Sequence, residues 1–162
     1  MFKHAKYHLP KFEPPQIIGL YPRARLFSQL DNLSNKRVLW VSAPAGSGKT
    51  SLIASYLSEK NKNIIWYQID VGDGDIASFF HHMALCIKNS SPKKRGMLPD
   101  FTSEYLAGLP AFSVNYFREL FKKIEPGSVL VLDNYQDAGA NTSLHEVMQY
   151  ATNEIPNNIQ LV

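Results

Sequence analysis

The eight residues Ala43-Pro44-Ala45-Gly46-Ser47-Gly48-Lys49-Thr50 constrain this chain more than any other stretch. Before them runs Arg37-Val38-Leu39-Trp40-Val41-Ser42, short, β-branched and aromatic, as a buried strand is; after them, residues 51–59 carry apolar positions at helical spacing. Strand, loop and helix follow in that order. Gly46 and Gly48 can take φ > 0 and let the backbone close on an anion, so that successive N–H groups point inward. The helix N-terminus adds its partial positive charge. The stretch reads as a phosphate cradle. The spacing G-x-x-x-x-G-K-[ST] is met at Gly48, Lys49 and Thr50, with Ala43 at the first glycine's position. In such a loop Lys49 reaches the β- and γ-phosphates, the Thr50 hydroxyl ligates Mg²⁺, and Ser51 lies near the α-phosphate.

At 162 residues, 44% of them hydrophobic, the chain suffices for one domain with a real core. A formal charge of +3 is too small to argue for nucleic acid, which needs a concentrated basic face. The single cysteine, Cys86, excludes an internal disulfide framework and fits a reducing compartment, with the cytoplasm as the expectation. The first 16 residues hold no apolar leader core, and no run approaches the roughly 18 residues of a membrane helix, so no membrane role is expected.

Pro10, Pro14 and Pro15 oppose regular structure, so residues 1–20 are expected to be an extended arm. Leu26, Phe27, Leu30 and Leu33 predict a helix over 21–33, entered near Pro22. Ile64-Ile65-Trp66-Tyr67-Gln68-Ile69 is a second strand closed by Asp70. Asp70, Asp73 and Asp75 resemble a crude cation loop, but turn formation and helix capping by Asp75 with Ser78 account for them better: a calcium loop's bidentate Glu has no counterpart at the required spacing. In the helix expected over 76–88, His82 and Cys86 share a face, yet no second ligand pair lies nearby and Phe79, Phe80, Met83, Leu85 and Ile87 mark it as core.

Residues 90–99, with Lys93, Lys94 and Arg95, read as a solvated basic loop rather than a site for an anionic partner. A short helical turn is expected within 101–110. Phe112, Tyr116, Phe117, Leu120, Phe121 and Ile124 then predict an amphipathic helix whose aromatics are core rather than a base-stacking platform. Val129-Leu130-Val131-Leu132 form a strand ending at Asp133, a helix covers 143–154, and 159–162 begin another strand. Strands alternating with helices mean a mainly parallel α/β sheet. A chain that stops on an apolar strand reads as a C-terminally truncated piece of a longer protein.

A nucleoside triphosphatase needs, besides the phosphate loop, an acid at the end of a neighbouring strand to hold the Mg²⁺ water shell. Asp133 supplies it. Lys49 and Asp133 are therefore the expected catalytic pair, with Mg²⁺ between Thr50 and Asp133, the latter through water. Asn134 follows, and an amide cannot accept a proton at pH 7, although it can position water as Gln does in small GTPases. Gln136 and Asp137 are the alternatives. Slow hydrolysis, or a switch held by bound nucleotide, is the expectation.

The order Pro22-Arg23-Ala24-Arg25-Leu26, the phosphate loop through Ser51, Trp66-Tyr67-Gln68-Ile69-Asp70 and Val131-Leu132-Asp133-Asn134-Tyr135-Gln136 resembles the NTPase module of STAND regulators. Within them it is most similar to the large LuxR-type bacterial transcriptional regulators related to the maltotriose-responsive maltose activator. The resemblance implies an ASCE/AAA-like P-loop NTPase sheet with flanking helices, of which residues 21–162 are the N-terminal part. It also implies ATP/ADP and Mg²⁺ as ligands, Arg23 helping to enclose base or ribose, and the strand near Ile159 lying between the loop's strand and that of Asp133. Asn134 stands where many relatives carry a second acid. Inducer, self-association and DNA contacts are implied only through domains absent from this chain. A conventional P-loop ATPase, such as a loader or repair-type motor, is the alternative, and an interaction domain with a degenerate loop is a third.

Overall fold

The computed structural model describes residues 9–17, 21, 23–91, 96–140 and 142–162. Three strands, β1 (Ile64–Gln68), β2 (Val129–Asp133) and β3 (Gln160–Leu161), form a parallel sheet in that spatial order. Ile64 pairs with Val129 through to Gln68 with Asp133, and Val129 and Leu130 pair with Gln160 and Leu161. Five helices flank it: α1 (Ala24–Asn32), α2 (Lys49–Glu59), α3 (Ile76–Ser90), α4 (Leu109–Lys123) and α5 (Leu144–Glu154).

The two longer strands, β1 and β2, are apolar at consecutive positions because both their faces are covered. Ile65, Tyr67 and Leu130 join one core with α3, α4 and α5; Trp66, Val129 and Val131 join a second with Phe27 and Leu30 of α1 and Ile53 and Leu57 of α2. The period of two in each strand thus sorts alternate residues into two separate cores. Tyr116, Phe117 and Leu120 of α4 are buried against Phe80 of α3, and the Tyr116 hydroxyl donates to the Phe80 carbonyl at 2.8 Å. The α4 aromatics are core residues, and no base-stacking surface is formed from them. Pro110 sits in the first turn of α4, where its missing N–H costs no helical bond.

The run 37–42 departs from the strand expected of it. Val38 forms one isolated parallel bridge with Leu161; the Leu39 N–H donates to the Leu161 carbonyl and the Leu161 N–H to that of Arg37, both at 2.8 Å. Among the described residues its only neighbour in the sheet is the two-residue β3, so pairing ends where β3 ends. Val38 and Trp40 remain 40% and 70% exposed. The first helix is shorter than 21–33, with Leu33 partly exposed at its end, and Pro22 lies outside the described residues, as do Pro92, Lys93, Lys94 and Arg95 of the basic loop.

The described part of the arm is not simply extended. Pro10–Phe12 form a 3₁₀ turn packed on β1, where Phe12 stacks on Tyr67 with ring centroids 5.8 Å apart. The reason is electrostatic. Asp73 is completely buried in the 3₁₀ turn Val71–Gly74, and Lys11 Nζ reaches its Oδ2 at 3.0 Å and Asp70 Oδ2 at 2.8 Å. Asp73 also accepts from the Tyr67 hydroxyl at 2.6 Å and the Asp70 N–H at 2.9 Å, while the Gly72 N–H donates to Asp70. The cation of this aspartate loop is therefore a lysine ammonium. Asp75 caps α3 by accepting from the Ser78 N–H and hydroxyl, which hold its carboxyl below the usual range.

A buried carboxylate that loses its cation is left uncompensated. Lys11→Met should lower the unfolding free energy by about 2 kcal/mol, since Tyr67 and the Asp70 N–H still serve Asp73. Lys11→Met with Asp73→Asn should recover at least half of that loss. Urea denaturation of both variants checks it; equal losses would show that the charge pair is not the cause.

Candidate functional site

A parallel sheet delivers the C-terminal ends of all its strands to one edge, and the loop Ala43–Gly48 leaves the Val38 run at that edge. Gly46 has φ 74° and Gly48 φ 79°, the left-handed region that glycine enters without cost. Gly48 is the N-cap of α2, and the first helical bond is donated by the Leu52 N–H to the Gly48 carbonyl at 2.9 Å. The N–H groups of Lys49, Thr50 and Ser51 therefore precede the helical ladder, at the positive end of its dipole.

The Lys49 side chain folds back over the loop and donates to the Ala43 and Pro44 carbonyls at 2.8 and 3.2 Å. The Ser47 N–H closes a turn onto the Pro44 carbonyl, while Ser47 Oγ is buried with no hydrogen-bond partner. Arg23, at the start of α1, donates to the Ser47 carbonyl at 3.2 Å, and its guanidinium lies 2.8 Å from where a Cβ on Gly48 would stand. Here Arg23 borders the phosphate loop itself.

Thr50 and Asp133 are separated by 83 residues, yet the Thr50 hydroxyl donates to Asp133 Oδ1 at 2.8 Å. Hydroxyl and carboxylate are hard oxygen donors of the kind Mg²⁺ accepts alongside several waters. Among the described residues no group of three or more His, Cys, Asp or Glu gathers as a ligand cluster. The His82–Cys86 pair does not form one: the Cys86 thiol is buried and donates to the Trp66 carbonyl at 3.3 Å, and burial pushes its pKa up to about 12.

Asn134 adopts φ 58° and ψ 35°, a left-handed conformation that asparagine tolerates better than most residues. It turns the chain from β2 into the 3₁₀ turn Tyr135–Ala138, closed by the Asp137 N–H on the Asn134 carbonyl at 2.8 Å. Asn134 and Gln136 line a cleft of about 590 Å³ that also includes Lys49, Thr50, Asp133 and Trp40. Asp137 closes the turn with its backbone N–H; its exposed side chain is not among the residues lining the cleft.

Three participants were invisible in the sequence pattern. The Tyr135 hydroxyl bonds His145 Nδ1 at 2.8 Å, His145 Nε2 bonds the Gly139 carbonyl at 3.0 Å, and the Trp40 indole meets the Tyr135 ring edge-on at 5.5 Å. No local spacing announces contacts between three elements so far apart in the chain. No family model matches the sequence. No helix among the described residues is long and apolar enough to cross a membrane.

The backbone at Asn134 separates conformation from chemistry. Asn134→Ala should cost about 1 kcal/mol, and Asn134→Gly less than about 0.5 kcal/mol, because only the first resists the left-handed region. Thermal unfolding of the two variants checks this; equal losses would show that the side-chain amide, not the dihedral, matters for stability.

Proposed function

We propose that this chain is the nucleotide-binding part of a switch: it holds ATP or ADP with Mg²⁺ in a multidomain, signal-responsive regulator of the STAND type, with slow or conditional hydrolysis. The observation that carries the reading is the 2.8 Å contact between Thr50 and Asp133, which joins the end of the phosphate loop to the acid on β2. Support comes also from β3 lying between β2 and the Val38 run, the neighbour relation that the resemblance implies.

On this reading the N–H groups at the start of α2 bind phosphate oxygens, and Lys49 exchanges the Ala43 and Pro44 carbonyls for the β- and γ-phosphates. Thr50 and Asp133 hold the cation, which neutralises developing charge on the phosphates. Arg23 sits beside the phosphates rather than out at the base. Asn134 can orient water but cannot take its proton, which fits slow turnover. DNA, inducer and self-association are assigned to other domains.

Thermal unfolding of the complete protein with MgADP and MgATP tests the binding. Ligand at 100 times its Kd adds about 2.7 kcal/mol, a shift that Lys49→Ala should cut to about 0.9 kcal/mol at the same concentration by weakening binding about 30-fold. No stabilisation of the unsubstituted protein by either nucleotide would overturn the reading. Rapid continuous turnover without inducer would overturn the switch and leave nucleotide binding standing. Hydrolysis unchanged in Asn134→Gly would take the amide out of the chemistry.

A further inference from the structure

Backbone pairing between the two walls of the cleft stops early. The Val38 run is bonded to Leu161 through Arg37 and Leu39, and the Leu132 N–H donates to the Val162 carbonyl, but past Leu39 no backbone bond from the run to the sheet is found among the described residues. Two side-chain links continue towards the site: Thr50 to Asp133, and Trp40 to Tyr135. They are not equivalent. A cation would take a lone pair of the Thr50 hydroxyl and meet Asp133 through water, so the oxygens of this link are the ones the proposed ligand engages. The ring contact involves neither donor atom and persists.

Tyr135 is fixed on its other side as well. The Gly139 carbonyl can only accept, so His145 Nε2 carries the proton and, in the neutral ring, Nδ1 is bare; the Tyr135 hydroxyl is then the donor. Tyr135 directly follows Asn134, whose left-handed backbone has to be maintained by its surroundings.

We propose that Tyr135 is a positioning residue: clamped between His145 of α5 and Trp40 of the run that leads into the phosphate loop, it sets the turn that aims Asp133 and Asn134 at the bound cation. The proposal rests on the nucleotide reading for its consequence in binding, but the clamp itself is measurable without ligand. Tyr135→Phe and His145→Ala both delete the hydrogen bond between them; the first keeps the ring against Trp40, and the second also removes the bond to the Gly139 carbonyl.

Hydrogen exchange of the Asp137 amide, which closes the turn, should quicken about fivefold in Tyr135→Phe and at least as much in His145→Ala, with the double variant no faster than His145→Ala alone, while the Leu52 amide of α2 stays within twofold. In the complete protein, ADP affinity with Mg²⁺ should fall about fivefold in both variants, and ADP affinity in EDTA should change by less than twofold. A merely structural role would weaken both affinities alike, which would overturn the proposal. Unchanged Asp137 exchange, or additive effects in the double variant, would overturn it too. If the unsubstituted protein binds no nucleotide, the nucleotide reading fails by itself, and the exchange measurements still decide whether the clamp exists.

Discussion

Everything at the candidate site depends on the sheet being parallel. In an antiparallel arrangement the ends of neighbouring strands lie at opposite edges, and a loop leaving one strand cannot face an acid ending the next. Here β1, β2, β3 and the Val38 run all point one way, so Asp70, Asp133 and the Ala43–Gly48 loop emerge at a single edge. Parallel neighbours need long crossovers, which the helices provide, and those helices bury both faces of the sheet. The chain's largest investment of apolar residues, the aromatics of α3 and α4 and the alternating residues of β1 and β2, is thus also what brings Thr50 within 2.8 Å of Asp133.

The same edge carries a second polar cluster with a different solution to burial. Asp73 has no exposed surface and would be an expensive residue to leave ionised, yet four donors converge on it or its partner Asp70: Lys11, the Tyr67 hydroxyl and the backbone N–H groups of Asp70 and Gly72. The turn these groups fix is joined to the Asp133 side of the site. Ile69 donates its N–H to the Asp133 carbonyl, and the Thr142 hydroxyl donates to Gly74. An arm residue more than a hundred positions from β2 in the sequence therefore helps to order the loops around its end. The Lys11 stem also lies over the Tyr67 face, with Nζ 4.9 Å from the ring centre, so the ammonium is held by a quadrupole as well as by charge.

Much of this was legible in the sequence where short-range physics dominates. The helices α2, α3, α4 and α5 and the strands β1 and β2 follow from apolar period and from the positions of Gly, Pro and Asp, and Gly46 and Gly48 take the positive φ expected of them. What failed was governed by partners rather than by propensity. Residues 37–42 have the composition of a strand, but a strand is also a count of neighbours, and among the described residues this run has one short neighbour. Lys11 in a proline-rich arm carries no local sign that it will neutralise an acid sixty residues on. Arg23 was suspected through resemblance alone, since its spacing gives no reason for its guanidinium to lie against Gly48.

Asn134 is the residue at which fold and chemistry bear on each other most directly. At the end of β2 the chain has to turn at once, and it does so through a single left-handed residue, which restricts that position to glycine, asparagine or aspartate at modest cost. Aspartate would satisfy the turn and also offer a base; glycine would satisfy the turn and offer nothing. Asparagine keeps the conformation and a hydrogen-bonding group while giving up proton acceptance. The backbone thus explains why so few residues are acceptable beside Asp133, and the choice among those few sets the chemistry. Under the proposed reading, that choice favours retaining a nucleotide over consuming it, because a water held by an amide is oriented but not activated, and the barrier to attack on the phosphate is lowered by position and by Lys49 and the cation alone.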